Sequence, residues 1–257
     1  TVITVTASDA AGNSATNTGT VEVDTIGLNV SIDALVTNDT SPALSGSIDD
    51  DTATVIVTVN GVDYSAVNNG DGTWSLAADI LPDLAEGEVE ISISASDQAG
   101  HTDTATTAIE VDTTAPVVTV DSAITTDNTP VITGSIDDPT ATVVVTVNVG
   151  GEEYTATNNT DGTWILVDNT LPTLDDGETV ITVTATDAAG NSATNTGTVE
   201  VDTTGLNVSI DALVTNDTSP ALSGSIDDAT ATVIVTVNGI DYTTVNNGDG
   251  TWSLAAD

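Results

Sequence analysis

Carboxylates are the residues of this chain that could do chemistry. Its 257 residues include 40 Asp and Glu, one His, and no Lys, Arg or Cys. Aspartates recur in similar surroundings: one after a valine, an Asp-Asp pair further along, and another near an Ala-Gly turn. Calcium binds roughly six to eight oxygen ligands and tolerates the irregular geometry of loops. We therefore predict calcium ligands at Asp24, Asp49, Asp50, Asp97, Asp112, Asp137, Asp138, Asp187, Asp202, Asp227 and Asp228.

The same composition argues against catalysis and against several partners. One histidine without cysteine or lysine leaves no nucleophile–base pair. The sequence also indicates no pocket that would single out two carboxylates as the catalytic pair of a glycosidase. We predict that the chain is not an enzyme. Without Lys or Arg it lacks the side chains that bind phosphates, so we expect no nucleic-acid partner. No apolar run approaches the roughly 18 residues of a spanning helix, so we expect no direct membrane insertion.

The formal net charge of −40 indicates that cations accompany the folded chain. Carboxylates at this density repel one another in a compact state unless cations neutralise them. Two plainer interpretations stay open: the acids are ordinary turn residues in water, or they adapt the surface to salty surroundings. Specific sites respond to calcium at fixed ionic strength, whereas screening responds equally to sodium.

The sequence repeats with a period near 90 residues. Asp24, Asp112 and Asp202 each follow a valine and precede a threonine, at spacings of 88 and 90 residues. This period fits a sandwich domain of about 100 residues. Residues 1–24 match 179–202 at all but one position, and 202–257 match 24–79 at all but five.

These matches predict the domain organisation. We expect the C-terminal part of a domain (strands F and G) at 1–24, complete domains at 25–112 and 113–202, and the N-terminal part of a domain (strands A to E) at 203–257. The chain is then an excerpt of a longer protein, or one turn of a longer periodic assembly.

Each repeat has the pattern of short β-strands. Apolar and polar residues alternate, which turns one face of each strand inward, and the Asn60-Gly61 pair predicts a tight hairpin. The expected inward residues of the first complete repeat are Leu28, Val30, Ile32, Leu44, Ile48, Val55, Val57, Val59, Trp74, Leu76, Ala78, Val89, Ile91, Ile93, Ala95, Ala105, Thr107, Ile109 and Val111. The predicted fold class is all-β: tandem immunoglobulin-like Greek-key sandwiches of about seven strands, arranged as an elongated rod.

This topology brings the acids together. Because successive strands reverse direction, the B–C loop with Asp49 and Asp50 and the F–G loop with Asp97 meet at one pole of the domain. The preceding linker brings Asp24 to the same pole, and the other two groups follow the same logic. His101 stands in the F–G loop where other copies have asparagine, and we expect it to be an ordinary surface residue.

Four phrases in fixed order resemble the bacterial Ig-like repeats of giant secreted surface proteins, the extender regions of RTX and Bap-type adhesins and biofilm proteins. The phrases are Asp71-Gly72-Thr73-Trp74-Ser75-Leu76, Leu81-Pro82-Asp83-Leu84, Val111-Asp112-Thr113-Thr114-Ala115-Pro116 and Ala185-Thr186-Asp187-Ala188-Ala189-Gly190-Asn191-Ser192. The resemblance implies a calcium-dependent rod exported to the bacterial cell surface, usually by type I secretion.

The expected function is therefore structural. The repeats would be spacers of a bacterial adhesin, stiffened by calcium at interdomain junctions and used in adhesion or biofilm formation, with neighbouring Ig-like domains as partners. Two alternatives stay open. Identical chains could assemble laterally into an extracellular filament or sheath through exposed strand edges, or each sandwich could bind glycan or another cell surface through its loops.

Overall fold

In the computed structural model, which describes residues 1–147 and 151–256, the regular elements are β-strands. Within these ranges no helix has the length and apolar character needed to cross a membrane. The chain divides into two compact units. The first is Thr1–Asp121, Val131–Thr170 and Val180–Gly197, and the second is Ser122–Pro130, Leu171–Thr179 and Thr198–Asp257.

The strands fall into four groups along the chain. A hairpin of β1 (Val2–Ser8) and β2 (Ser14–Thr20) comes first. The first complete repeat has β3 (Val36–Thr37), β4 (Leu44–Ser47), β5 (Thr54–Val59), β6 (Val62–Asn68), β7 (Thr73–Leu76), β8 (Gly87–Ser96) and β9 (Thr102–Val111). The second has β10 (Ala123–Thr125), β11 (Ile132–Ser135), β12 (Thr142–Val147), β13 (Glu153–Asn158), β14 (Thr163–Leu166), β15 (Gly177–Thr186) and β16 (Ser192–Val201). The last group is β17 (Leu222–Ser225), β18 (Ile234–Val237), β19 (Ile240–Thr243), β20 (Val245–Asn246) and β21 (Thr251–Leu254).

Each complete repeat is a sandwich built from one bent ribbon of seven strands. The order in the first repeat is β3-β9-β8-β5-β6-β7-β4, and the second repeat has the equivalent order. Strand β6 joins the two layers, because its first residues pair with β5 while Val67 and Asn68 pair with β7. The predicted hairpin between β5 and β6 is confirmed, with positive φ at Asn60 and Gly61 as a two-residue turn requires. The all-β, tandem Ig-like fold class is confirmed.

The core of the first repeat follows the predicted alternation. Val55, Val57 and Val59 of β5 and Ile91 and Ile93 of β8 are buried, while alternate residues face outward or lie half-buried. Full burial of such a side chain stabilises a fold by about 1.5–3 kcal/mol. Ala78 is an exception: it is exposed, because β7 ends at Leu76 and the chain turns at Asp79.

The first strand predicted for this repeat, with Leu28, Val30 and Ile32 facing inward, is replaced by a segment that contacts both layers. Val30 forms only an isolated bridge to Ile48, and Ser31 and Asp33 donate N–H bonds to the carbonyls of Ser47 and Ser45 at 2.9 and 3.0 Å. The chain then crosses to the other layer, where β3 pairs in parallel with β9. A regular strand is interrupted because the segment changes sheets midway.

A tryptophan fixes the start of each sandwich to its core. Trp74 and Trp164 are fully buried, and their indole N–H groups donate to the carbonyls of Ser31 and Thr119 at 2.7 and 2.8 Å. Trp252 makes the same bond in the last group of strands. The prediction that Trp74 faces inward is confirmed.

Candidate metal centre

Three loops bring acidic side chains to one pole of the first complete repeat. The loop between β4 and β5 carries Asp49 and Asp50, the turn between β8 and β9 carries Asp97, and the preceding segment carries Asp24. These four predicted ligands, together with Asp51, line one cleft of about 540 Å³ whose apolar floor includes Leu28. The topology thus places the first predicted group of acids around a single space.

Asp49 is held by the segment that opens the repeat, and Asp50 is held by its own loop. The Asn29 main-chain N–H and side-chain amide donate to the two carboxylate oxygens of Asp49 at 2.8 and 2.9 Å, and these bonds hold the pKa of Asp49 below its ordinary value. Asp50 Oδ1 accepts from the Thr52 N–H at 2.7 Å and from its hydroxyl at 2.8 Å. A carboxylate offers about four acceptor positions, so both side chains retain capacity for a cation.

Asp97 is enclosed in the cleft, with 4% of its side chain exposed. Its Oδ1 accepts from the N–H groups of Gly100 and His101 at 2.7 and 2.8 Å, and its Oδ2 lies 2.6 Å from His101 Nδ1. Burial raises the pKa of Asp97, but the hydrogen bonds from His101 and Gly100 outweigh it and leave the pKa below its ordinary value.

His101 bonds Asp97 and lies close to Asp24. One ligand atom of each of these three side chains lies within 4.8 Å of the others, and among the described residues this is the one such group of three. The bond to Asp97 is the main cause that raises the pKa of His101 above 6.5, and the charges of Asp97 and Asp24 add to it. The expectation of an ordinary surface histidine is therefore wrong. The signal was its replacement of an asparagine that bonds the same loop aspartate in other copies.

The second group of predicted ligands is arranged by similar loop bonds. Asp187 Oδ1 accepts from the Gly190 and Asn191 N–H groups at 2.8 and 2.9 Å, and its Oδ2 accepts from the Asn191 amide at 2.9 Å. Burial raises the pKa of Asp187, but the bonds from Asn191 and Gly190 lower it by more. The pKa therefore lies below its ordinary value. The Asn191 amide also donates to the carbonyl of Asp112 at 2.7 Å. Asn191 therefore ties the F–G turn to the linker.

The Asp137-Asp138 pair repeats the arrangement of Asp49 and Asp50. Asp137 Oδ1 accepts from the Val117 N–H at 2.7 Å, and Asp138 Oδ1 accepts from the Thr140 N–H at 2.7 Å. The described residues around this pair and Asp187 contain no group of three ligand atoms as close as the one at Asp97. The first and second groups of acids thus occupy equivalent positions, but they differ in how closely their side chains approach one another.

The third group contains Asp202, Asp227 and Asp228. The Asn207 N–H donates to the carboxylate oxygens of Asp227 at 2.9 and 3.0 Å, which together with the Asn207 amide lowers the pKa of Asp227. Bonds from the Thr230 hydroxyl and N–H lower the pKa of Asp228. Asp202 Oδ1 accepts from the Thr204 N–H at 2.9 Å.

Acids of the loops before β8 and β15 hold the linkers. Glu86 accepts from the hydroxyls of Thr113 and Thr114, the latter at 2.6 Å. Asp176 accepts from the N–H and hydroxyl of Thr203 at 3.0 and 2.8 Å. These bonds fix the segment after β9 or β16 to the sandwich that it leaves.

One main-chain bond joins the two complete repeats directly. The Asn38 N–H, in the loop between β3 and β4, donates to the carbonyl of Ala189 in the turn between β15 and β16 at 3.1 Å. The pole of the second repeat that carries Asp187 therefore lies against a loop of the first.

Comparison with known proteins gives a matching family. The bacterial Ig-like domain family matches residues 30–113 and 118–203. Hyalin from Lytechinus variegatus is 32% identical over 247 residues, covering 91% of this chain and 40% of hyalin, so the chain spans well under half of that relative.

Two solved adhesin structures are also similar. An adhesin of an Antarctic bacterium, described as Ca²⁺-stabilized and as binding ice, is 26% identical over 98% of this chain and 72% of that chain, with a TM-score of 0.34. A tetra-tandem repeat from the extending region of a large adhesion protein is 25% identical over 99% of this chain and 72% of that chain, with a TM-score of 0.32. TM-scores this low do not establish a shared arrangement of domains.

Proposed function

The chain belongs to the family of bacterial Ig-like domains, and we propose that it is a spacer of a bacterial cell-surface adhesin. Its domains, at 25–112 and 113–202 with partial domains at 1–24 and 203–257, follow one another outside the cell. Calcium bound at the junctions limits their relative motion, which makes the array a stiff rod. Such a rod would hold a binding domain away from the cell, in adhesion or in a biofilm.

The observation that carries this proposal is the cleft lined by Asp24, Asp49, Asp50 and Asp97. The linker supplies one of these acids and the loops of the following domain supply the others. A cation that binds both therefore couples the direction of the linker to the domain. Because the chain has no Lys or Arg, no side chain of that kind neutralises the cleft.

The donor set fits a hard cation. The four aspartates offer carboxylate oxygens, the ligands that calcium prefers, and Asp97 is presented by three bonds from its own turn. His101 bonds Asp97 through Nδ1 and orients that carboxylate. Calcium in this cleft would neutralise the mutual repulsion of the acids, and the chain's own residues would fix the linker around it.

The bonds from Glu86 to Thr113 and Thr114 support the same function. They fix the start of the linker to the preceding sandwich, while the cation site fixes the end of a linker to the following one. Both ends of the connection are then restrained, which is what a stiff spacer requires.

The test combines small-angle scattering, a thermal melt and calcium-binding calorimetry on the 257-residue protein, with sodium matched for ionic strength. We expect calcium to lengthen the particle and raise its melting temperature, and sodium to do neither. Asp97→Asn should weaken calcium binding at the first junction, because the amide keeps the shape and loses the charge. Asp63→Asn removes the same charge from strand β6, outside the cleft, and should bind calcium as the parent does. Equal responses to calcium and sodium, or equal binding by the two variants, would contradict the proposal.

A further inference from the structure

The turn between β8 and β9 carries a nitrogen donor that the equivalent turn of the second repeat lacks. His101 occupies the position that Asn191 holds between β15 and β16. Both side chains bond the aspartate that opens their turn. His101 Nδ1 lies 2.6 Å from Asp97 Oδ2, and the Asn191 amide donates to Asp187 Oδ2 at 2.9 Å. The two turns are therefore closed by the same kind of bond, but only one of them contains an imidazole.

The side chains around His101 are close enough to share one metal ion. One ligand atom each of His101, Asp97 and Asp24 lies within 4.8 Å of the other two. The nitrogen and oxygen ligands of zinc lie about 2.0–2.2 Å from the metal, so two of them are at most roughly 4.4 Å apart. Small movements of the three side chains are therefore enough to surround a metal of this size.

Both carboxylates of the group are positioned by main-chain bonds. Asp97 Oδ1 accepts from two N–H groups of its own turn at 2.7 and 2.8 Å. Asp24 Oδ1 accepts from the Ile26 N–H at 2.9 Å, and the linker aspartate before the second repeat makes the equivalent bond at the same distance. A carboxylate has about four acceptor positions, so each of the two retains capacity for a metal.

An imidazole changes the class of metal that this group prefers. Calcium takes oxygen ligands, roughly six to eight of them. Zinc and related divalent transition metals bind imidazole nitrogen together with carboxylate oxygen, and zinc needs only about four ligands. One histidine and two aspartates, completed by water, are therefore a better ligand set for zinc than for calcium. Asn191 offers a neutral amide in place of the imidazole, so the second repeat lacks this preference.

We propose that His101, Asp24 and Asp97 bind a divalent transition metal of the zinc class where the linker meets the first complete repeat. The equivalent position of the second repeat, with Asn191, binds no such metal. Zinc would restrain the linker as calcium does, because it too joins Asp24 to the turn of the following domain. This inference deepens the proposed function, since it assigns a second ion to one of its junctions. Zinc and calcium share Asp24 and Asp97, so they compete there.

Calorimetric titration of the 257-residue protein with Zn²⁺, in calcium-free buffer of fixed ionic strength, measures the affinity. We expect one zinc site per chain that is tighter than the binding of zinc to scattered carboxylates, and added calcium should weaken it. Nuclear magnetic resonance of the imidazole measures the ligation directly. The chain has a single histidine, so a shift of the ring resonances during the zinc titration reports on His101.

Exchanging the two turn residues tests the role of the imidazole. His101→Asn should weaken zinc binding by more than the roughly 10- to 100-fold that loss of an outer-sphere partner costs. Asn191→His makes the converse change and should add a second zinc site. Each variant places a side chain that the other repeat already carries in the equivalent turn, so both should keep the circular dichroism of the parent.

Two aspartate variants separate ligation from charge. Asp24→Asn removes a ligand and should weaken zinc binding strongly. Asp51→Asn removes the same charge from the same cleft, at a residue outside the group of three, and should bind zinc nearly as the parent does. Parent-like affinity in His101→Asn, unchanged stoichiometry in Asn191→His, equal losses in the two aspartate variants, or ring resonances that do not respond to zinc would overturn the proposal. Lengthening by calcium can be measured on His101→Asn without zinc, so the two proposals can fail separately.

Discussion

His101 Nδ1 lies 2.6 Å from Asp97 Oδ2, closing the turn between β8 and β9. In the second repeat Asn191 closes the equivalent turn on Asp187 at 2.9 Å. The same turn is therefore closed by a titrating side chain in one copy and by a neutral amide in the other. Since the chain has a single histidine, an imidazole titration signal can be assigned to His101.

We predict that His101 stabilises the calcium-free protein more in mild acid than at alkaline pH. Its pKa is raised above 6.5 by Asp97, so its contribution is fully present below the unfolded pKa and is lost as pH rises through the folded one. The difference in melting temperature between the parent and His101→Asn should therefore shrink as pH rises through neutrality. A direct nuclear magnetic resonance titration of the imidazole should give a midpoint above 6.5. A midpoint at or below 6.5, or a difference that grows with pH, would contradict this.

A second prediction concerns Glu86 and the linker. Hydrogen bonds from Thr113 and Thr114 hold the pKa of Glu86 below 4.5, so the bonded form is present above the unfolded pKa and is lost as pH falls through the folded one. Glu86→Ala should speed amide hydrogen exchange at Thr113. Glu90→Ala removes the same charge from the outer face of β8 and should leave this exchange unchanged. A carboxyl titration of Glu86 should also give a midpoint below 4.5, and a midpoint at or above 4.5 would contradict the assignment.

The core could be predicted from the sequence because it depends on a period of two. Successive side chains of a strand point to opposite faces, so Val55, Val57 and Val59 face inward and the residues between them do not. The failures lie where the chain changes direction. Near Ile32 the segment leaves one sheet for the other, and at Ala78 the strand has already ended. The alternation of apolar and polar residues carries no information about either event.

The candidate site could be predicted in position but not in detail. Topology alone brought Asp24, Asp49, Asp50 and Asp97 to one cleft. The sequence could not show that Asp97 is enclosed while Asp24 is exposed, nor that Glu86 bonds threonines of the linker, because these depend on side-chain orientation within turns. The role of His101 was misjudged because a loop histidine is usually an ordinary surface residue. Its position, which an asparagine occupies in other copies, indicated a bond to Asp97.

The last prediction concerns Gly46, which pairs with Trp74 across β4 and β7. A Cβ at Gly46 would lie 2.0 Å from the Ser31 carbonyl oxygen and 2.7 Å from Trp74 Nε1, so Gly46→Ala must displace the segment that the indole holds. We expect a loss of about 1–3 kcal/mol in the free energy of unfolding, measured by urea denaturation, with a shifted indole N–H resonance for Trp74. Gly27→Ala, where a Cβ meets nothing within 4 Å, is the matched control. If both variants unfold at the same urea concentration, the close approach of Gly46 to Ser31 does not constrain the sandwich.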